Sequence, residues 1–352
     1  SVLTYGGVSL FVVVFAVYPF AAALFKEANY PKRFVAPVIA LGAFTATMDC
    51  LPGTPQIQNI IPTTYFGTNL YAAPLAGIIG AIIIYGGGIF YLTHRLRHAV
   101  ANGEGYGNHK INEPEHNEDM TYVNWKLAVI PLLAVLIINF VITECVVWDP
   151  DILTPFQQMK GIPLVAAKLK NVVSIWALII SLVVGIVLAL IVGKREIKSV
   201  DGLTKILNAG AIGSLLAIMN TASEVGYGNV ISQLPGFADV AHFLINIHIG
   251  GTPLVSEAIS VTVLAGITGS ASGGMSIALE LMSQDWLTWA QSIGMGPEIL
   301  HRVASMASGG LDTLPHNGAV ITLLAVCGLS HRESYKDIFA ITLMKTFAVF
   351  VI

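Results

Sequence analysis

The sequence predicts an all-α polytopic membrane protein folded as an inverted repeat, with two re-entrant hairpins and two broken transmembrane helices. Three observations predict it: the composition, two motifs that each occur twice, and the distribution of basic residues. The 352 residues are 55% hydrophobic and 11% charged, whereas a water-soluble domain carries about 25% charged residues. Residues 50–93 and 172–193 contain no Asp, Glu, Lys or Arg, and about 20 apolar residues cross a hydrocarbon core of about 30 Å. The formal net charge of −3 points away from nucleic acid and from membrane-surface binding. Cys50, Cys145 and Cys327 lie far apart in apolar sequence, giving neither a disulfide framework nor metal-ligand spacing.

The motifs lie in apolar surroundings at nearly equal offsets. Tyr5-Gly6-Gly7-Val8-Ser9-Leu10 returns as Ser272-Gly273-Gly274-Met275-Ser276-Ile277, an offset of 274 − 7 = 267. Asp49-Cys50-Leu51-Pro52 returns as Asp312-Thr313-Leu314-Pro315, an offset of 312 − 49 = 263. Interruptions at corresponding places in two halves are the sequence mark of a transport site built from discontinuous helices, so the pattern reads as a secondary transporter.

Residues 1–98 are expected to hold the C-terminal part of the first repeat: an arm around Gly6-Gly7, a broken helix at Asp49-x-Leu51-Pro52 and a span at 73–93. Residues 99–123 form an aqueous linker, too short for a domain. Residues 124–222 supply scaffold helices at about 126–147, 172–193 and 204–222. In 223–352, a polar-interrupted stretch at 223–235 and an interfacial segment at 236–250 precede the arm around Gly273-Gly274. The second break follows at Asp312-x-Leu314-Pro315. The first half is expected to lack a stretch matching the one before Gly273, and the run 338–352 to fall short of a span, so a fragment is expected.

Charge sidedness sets the orientation. With both arms re-entrant, Lys26, Lys32, Arg33, Arg95, Arg97, Lys110, Lys126, Lys194, Arg195, Lys198, Lys205, Arg332 and Lys336 fall on one side. The other side receives Lys160, Lys168, Lys170 and Arg302, and Lys345 falls within the last span. The positive-inside rule makes the richer side, with the linker, cytoplasmic, and the two halves then face opposite ways.

The interruptions supply the chemistry. Non-helical backbone at membrane depth survives only against protein or a water-filled cavity. Gly6, Gly7, Gly273 and Gly274 give freedom for hairpin tips, with Tyr5, Ser9, Ser272 and Ser276 beside them. Pro52 and Pro315 break the helices. Gly53 and Thr54, the latter read as an N-cap before Pro55, open a half-helix carrying Gln56, Gln58 and Asn59. Its positive end suits a carboxylate. Thr313, His316 and Asn317 stand at the second break. Asp49 and Asp312 are intramembrane acids, a functional-site hypothesis by default, and with His316 and Glu257 they are the candidate proton-coupling groups. Glu280 and Asp285 are read at the hairpin exit. No cofactor or metal is implied: Gly103-Glu104-Gly105-Tyr106-Gly107 follows no strand and lacks the phosphate-loop lysine. An intramembrane hydrolase could be drawn from Ser308, Asp312 and His316, but Pro315 interrupts the face that would unite them, and no nucleophile elbow is present. Sodium at the tips is the alternative coupling ion.

These motifs resemble the gluconate permease (GntP-type) family of the ion-transporter superfamily. The matching segments are residues 3–11, 51–59, 103–107, 272–276 and 312–318, and the likeness runs over essentially the whole chain, nearest to the 3-hydroxybutyrate or short hydroxy-acid permease branch. The resemblance implies proton-coupled uptake of gluconate-like or hydroxy-monocarboxylate anions across a bacterial inner membrane. It also implies a homodimer with a scaffold domain and an elevator-like transport domain.

Overall fold

The computed structural model describes residues 1–8, 10–113, 124–149, 151–152, 173–194, 197, 199–245, 247, 249 and 251–352, and every regular element among them is helical. A short α1 (Val2–Tyr5) turns through Gly6-Gly7 into α2 (Leu10–Glu27). Gly7 has φ +91°, a conformation that glycine adopts without steric cost. A 3-10 turn, Lys32–Phe34, leads into α3 (Val35–Ala43). The chain is then interrupted, apart from the single turn α4 (Ala46–Asp49), until α5 (Ile57–Phe66). The 28-residue α6 (Pro74–Ala101) starts on proline and is long and apolar enough to cross a membrane. At 1.5 Å per residue it spans about 42 Å.

Helix α7 (Trp125–Phe140), ending in a π turn at Val141–Cys145, packs along α8 (Val173–Val192). Helix α9 (Val200–Ser232) continues through most of the stretch expected to be interrupted at 223–235, which contains no proline before Pro235, and the interruption is confined to residues 233–234. The expected interfacial segment contains α10 (Pro235–Ile245). Then come α11 (Pro253–Thr268), α12 (Ala271–Ser292), α13 (Pro297–Ser308), a second interruption, α14 (Gly318–Cys327) and α15 (His331–Val351).

The halves repeat in conformation, at a different register from the glycine motif. Left-handed Gly7 corresponds to left-handed Gly269 (269 − 7 = 262), which ends α11 at φ +67°. Left-handed Gly67, closing α5, corresponds to Gly328, closing α14 (328 − 67 = 261). The second tip is therefore Thr268-Gly269-Ser270, not the expected Gly273-Gly274. Ser270 caps α12 by accepting from Gly273 N, so the glycine pair is already helical. Gly274 instead lets α12 lie against the Leu264–Ala265 backbone of α11, where a Cβ would collide. Ser276 stands six residues beyond the Ser270 cap, well down the arm.

Helices of the two halves pack against each other. Helices α6 and α15, each following its break, are antiparallel: Tyr91 and Arg95 reach Asp337 near the start of α15, and Gly87 faces Met344. Helix α2 packs on α14 of the other half, and reciprocally α12 packs on α5. Small residues allow close approach: Gly77 lies against the Cys50 carbonyl, Gly80 against Met306 and Gly88 against Leu41. At one end Lys26 and Lys32 pair with Glu113, Arg33 with Glu104, and Arg33 and Arg95 with Asp337. On the outer faces Ile78, Ile82, Phe90, Ile179, Val183, Ile186 and Ile218 are exposed, an apolar surface suited to lipid rather than water.

Candidate functional site

Each tip is tied to the break of its own half. Tyr5 donates through its hydroxyl to Pro52 O (2.8 Å), and Gln56 Nε2 donates to Thr4 O (2.7 Å) and Val8 O (3.2 Å). In the second half, His316 Nε2 donates to Gly266 O (3.0 Å) and Asn317 Nδ2 to Gly269 O (2.6 Å). A Cβ on Gly7 would meet Pro55 and Leu182, and one on Gly6 would meet Leu132. Helices α7 and α8 thus cover the first tip. Gly53, with φ +79°, lies under the Tyr71 ring. Ser9 lies outside the described residues.

The breaks need partners because a helix end leaves unpaired carbonyls and amides, which are costly away from water. Thr54 donates to Thr47 O rather than capping α5; the N-cap residue is Gln56, whose side chain makes no cap bond. Asn59 is saturated: Nδ2 donates to Thr54 O and Leu70 O, while Oδ1 accepts from Arg302 and meets His301 Nε2 at 3.0 Å. Asn317 caps α14 by accepting from the amides of Ala319 and Val320. Thr313 meets the Thr342 hydroxyl at 2.5 Å. Ser272, Gly273, Gly274 and Thr313 are buried, Ser276 is half-buried and His316 is exposed.

Two basic residues not picked out as site groups hold the centre. Arg302 was expected in solution beyond the membrane, yet it is 0% exposed, because α13 descends into the protein alongside the first break. Its guanidinium donates to Ala72 O (2.7 Å), Asn59 Oδ1 (3.1 Å), Asp49 O (3.3 Å) and Leu70 O (3.4 Å). Ser305 also donates to Asp49 O, at 2.8 Å. Lys345, on α15, donates to Phe44 O at the end of α3 (2.6 Å) and to Asp312 Oδ1 (2.9 Å), with Asp49 Oδ2 at 3.9 Å. One ammonium therefore joins the two candidate acids, one from each break. Gly309 makes this possible, since a Cβ there would collide with Asp49 Oδ2 and Lys345. The cue to Lys345 was present in the sequence: a lone lysine in the otherwise uncharged run 338–352 needs a buried partner.

Glu257 is also 0% exposed, in the second turn of α11 and facing the protein interior. Glu280 and Asp285 lie exposed along α12. A cavity of about 570 Å³ lies elsewhere, at the basic end, lined by His109, Lys110, Ser330 and Glu333 among others.

Over 361 aligned residues the chain is 50% identical to a Bacillus subtilis (strain 168) protein described as "Uncharacterized transporter YxjC", covering 100% of this chain and 75% of that protein. The chain belongs to that transporter family. It is a helical membrane protein and a transporter, not an enzyme. No family model matches the chain, and no solved structure does. Within this family the paired breaks are the natural place to look for cargo, since broken helices line the path in transporters whose halves are inverted.

Proposed function

We propose that the chain is a secondary active transporter that couples the uptake of a small organic anion, a gluconate-like or short hydroxy-monocarboxylate such as 3-hydroxybutyrate, to proton entry. The observation that carries this reading is the meeting of two interrupted segments, one from each half, at Asp49, Lys345 and Asp312 in the protein interior. Each segment is tied by hydrogen bonds to the tip of its own half. The anion would bind among the tips and the half-helix starts, near Tyr5, Gly6, Gly7, Ser9, Gly53, Thr54, Gln56 and Asn59 on one side. Ser272, Gly273, Gly274, Ser276, Thr313, His316 and Asn317 would serve on the other. The coupling group is among Asp49, Asp312, His316 and Glu257. Because tips and breaks are bonded to each other, the site would move as one body against α7, α8 and α9, an elevator-like step. The end carrying Lys26, Lys32, Arg33 and the linker faces the cytoplasm, and the working unit is a homodimer in the bacterial inner membrane.

Proteoliposomes holding the full-length protein and offered labelled 3-hydroxybutyrate, gluconate and other hydroxy acids test the reading. Accumulation driven by an inward proton gradient is expected, unchanged when Na⁺ is replaced by choline. No uptake of any hydroxy acid defeats the substrate class, and a strict Na⁺ requirement defeats the proton.

A further inference from the structure

Charge balance separates the buried acids. At the breaks two acids, Asp49 and Asp312, lie among two bases: Lys345 is within salt-bridge distance of both carboxyls, while Arg302 reaches the Asp49 carbonyl, and Asp49 Oδ2 has no hydrogen-bond partner. Two acids and two bases can balance there without any bound ion. Glu257 is different. It is fully buried, neither carboxyl oxygen has a hydrogen-bond partner, and no cation lies within salt-bridge distance among the described residues. The Ser260 hydroxyl, one turn along α11, is likewise buried and unpartnered.

Among the described residues, the elements around α11 offer nothing to neutralise it. Helix α13 presents His301, bonded to Thr68 and Asn59, and Arg302, bonded to the first break. Helix α15 presents Lys345, held by Asp312 and Phe44. On α12 Glu280 and Asp285 are exposed, as is Asp239 on α10, while Asp201, Lys205 and Tyr227 on α9 are exposed too. An acid in such a place requires one positive charge, and a proton supplies it in no extra space.

We propose that Glu257, with Ser260 beside it, carries the coupling proton, leaving Asp49 and Asp312 as a permanent internal ion cluster. The assignment rests on the transporter reading above. Glu257 lies about 18 Å along α11 from the Gly269 tip and about 6 Å from the helix start. Proton and anion therefore occupy separate places on one hairpin. The proton reaches its place from the nearby membrane face, and anion capture at the tip and proton capture at Glu257 are linked by movement of α11 as a rod.

Proteoliposomes of the full-length protein, with the labelled hydroxy acid that the wild type transports best, test this. A pH gradient of one unit coupled to one proton drives about tenfold accumulation. Glu257→Gln is expected to abolish that accumulation while preserving exchange of labelled for unlabelled anion down no gradient. Gradient-driven accumulation at the wild-type level in Glu257→Gln would overturn the assignment. Infrared spectra supply a readout independent of transport: purified wild type is expected to show a protonated carboxyl band at neutral pH that persists in Asp49→Asn and Asp312→Asn. Absence of the band in wild type, or its loss in either Asp variant, would overturn the assignment even if Glu257→Gln does not accumulate in the membrane. Failure of the wild type to transport any hydroxy acid would defeat the substrate class and leave the infrared result to judge Glu257.

Discussion

The two breaks look alike in sequence and are held together differently. The first, between α3 and α5, is fastened from outside by the other half: Arg302, Ser305 and His301 all reach it from α13. The second, between α13 and α14, is fastened largely by its own half. Thr262 donates to Ala307 O, Thr346 to Gly310 O, and Lys345 to Asp312. At the motif offset of 263, the counterparts of Arg302 and Lys345 are Ile39 (302 − 263) and Ile82 (345 − 263). Repetition has thus kept the backbone interruption and placed both of the buried cations that reach the breaks in one half. One half clamps the other at the first break.

The largest effect is expected where that clamp is cut. Arg302→Met would leave the carbonyls of Ala72, Leu70 and Asp49 without their donor, costing about 1–3 kcal/mol for each buried acceptor left unsatisfied. Arg302→Lys should rescue little, since an ammonium cannot fork across four acceptors. Thermal unfolding in detergent checks both. Retention of wild-type stability by Arg302→Met would show that the first break holds itself.

Lys345→Met comes next. Removing the ammonium strands Asp312 beside Asp49, a loss of about 3–5 kcal/mol, but here a second change should repair it. Lys345→Met combined with Asp312→Asn is expected to recover most of the stability. A double variant no better than the single would mean that Asp49 is the partner that matters. Gly309→Ala sharpens the same point more mildly. Its Cβ enters the space of the Asp49 carboxylate and Lys345, an overpacking cost of about 1–3 kcal/mol.

The smallest effect lies at the basic end, where the linker is clasped to both halves. The hydrogen bond from Arg33 holds the Glu104 carboxyl below the usual carboxylate range, and Ser330 does the same for Glu333. Folded-state values lowered in this way contribute stability above the unfolded carboxylate value, and that contribution is lost as pH falls through the lowered value. Protease cleavage in the linker is therefore expected to speed up only on acidification below the ordinary carboxylate range. Glu104→Gln should show the faster rate already at neutral pH. An unchanged rate at both pH values would remove the clasp.

Much of this was legible in the chain. Composition gives a helical membrane protein, and the Asp-x-Leu-Pro pair falls at both helix interruptions, because proline and its unpaired neighbours act locally wherever they occur. The glycine pair misled at the second tip. Gly273-Gly274 matches Gly6-Gly7 in letters, but only Gly269 has the positive φ of Gly7, and the letters do not distinguish a turn glycine from one that lets two helices touch. Thr54 likewise has the right type for a cap and spends its hydroxyl on Thr47 O.

By itself, then, the sequence determined where the backbone must stop being helical and that the whole must lie in a membrane, since both follow from residue type over short windows. Only the tertiary structure decided which charges meet. Lys345 is 33 residues from Asp312 and Arg302 is 243 from Asn59, and a buried charge is satisfied by whatever lies within a few ångströms of it in space, at any separation along the chain.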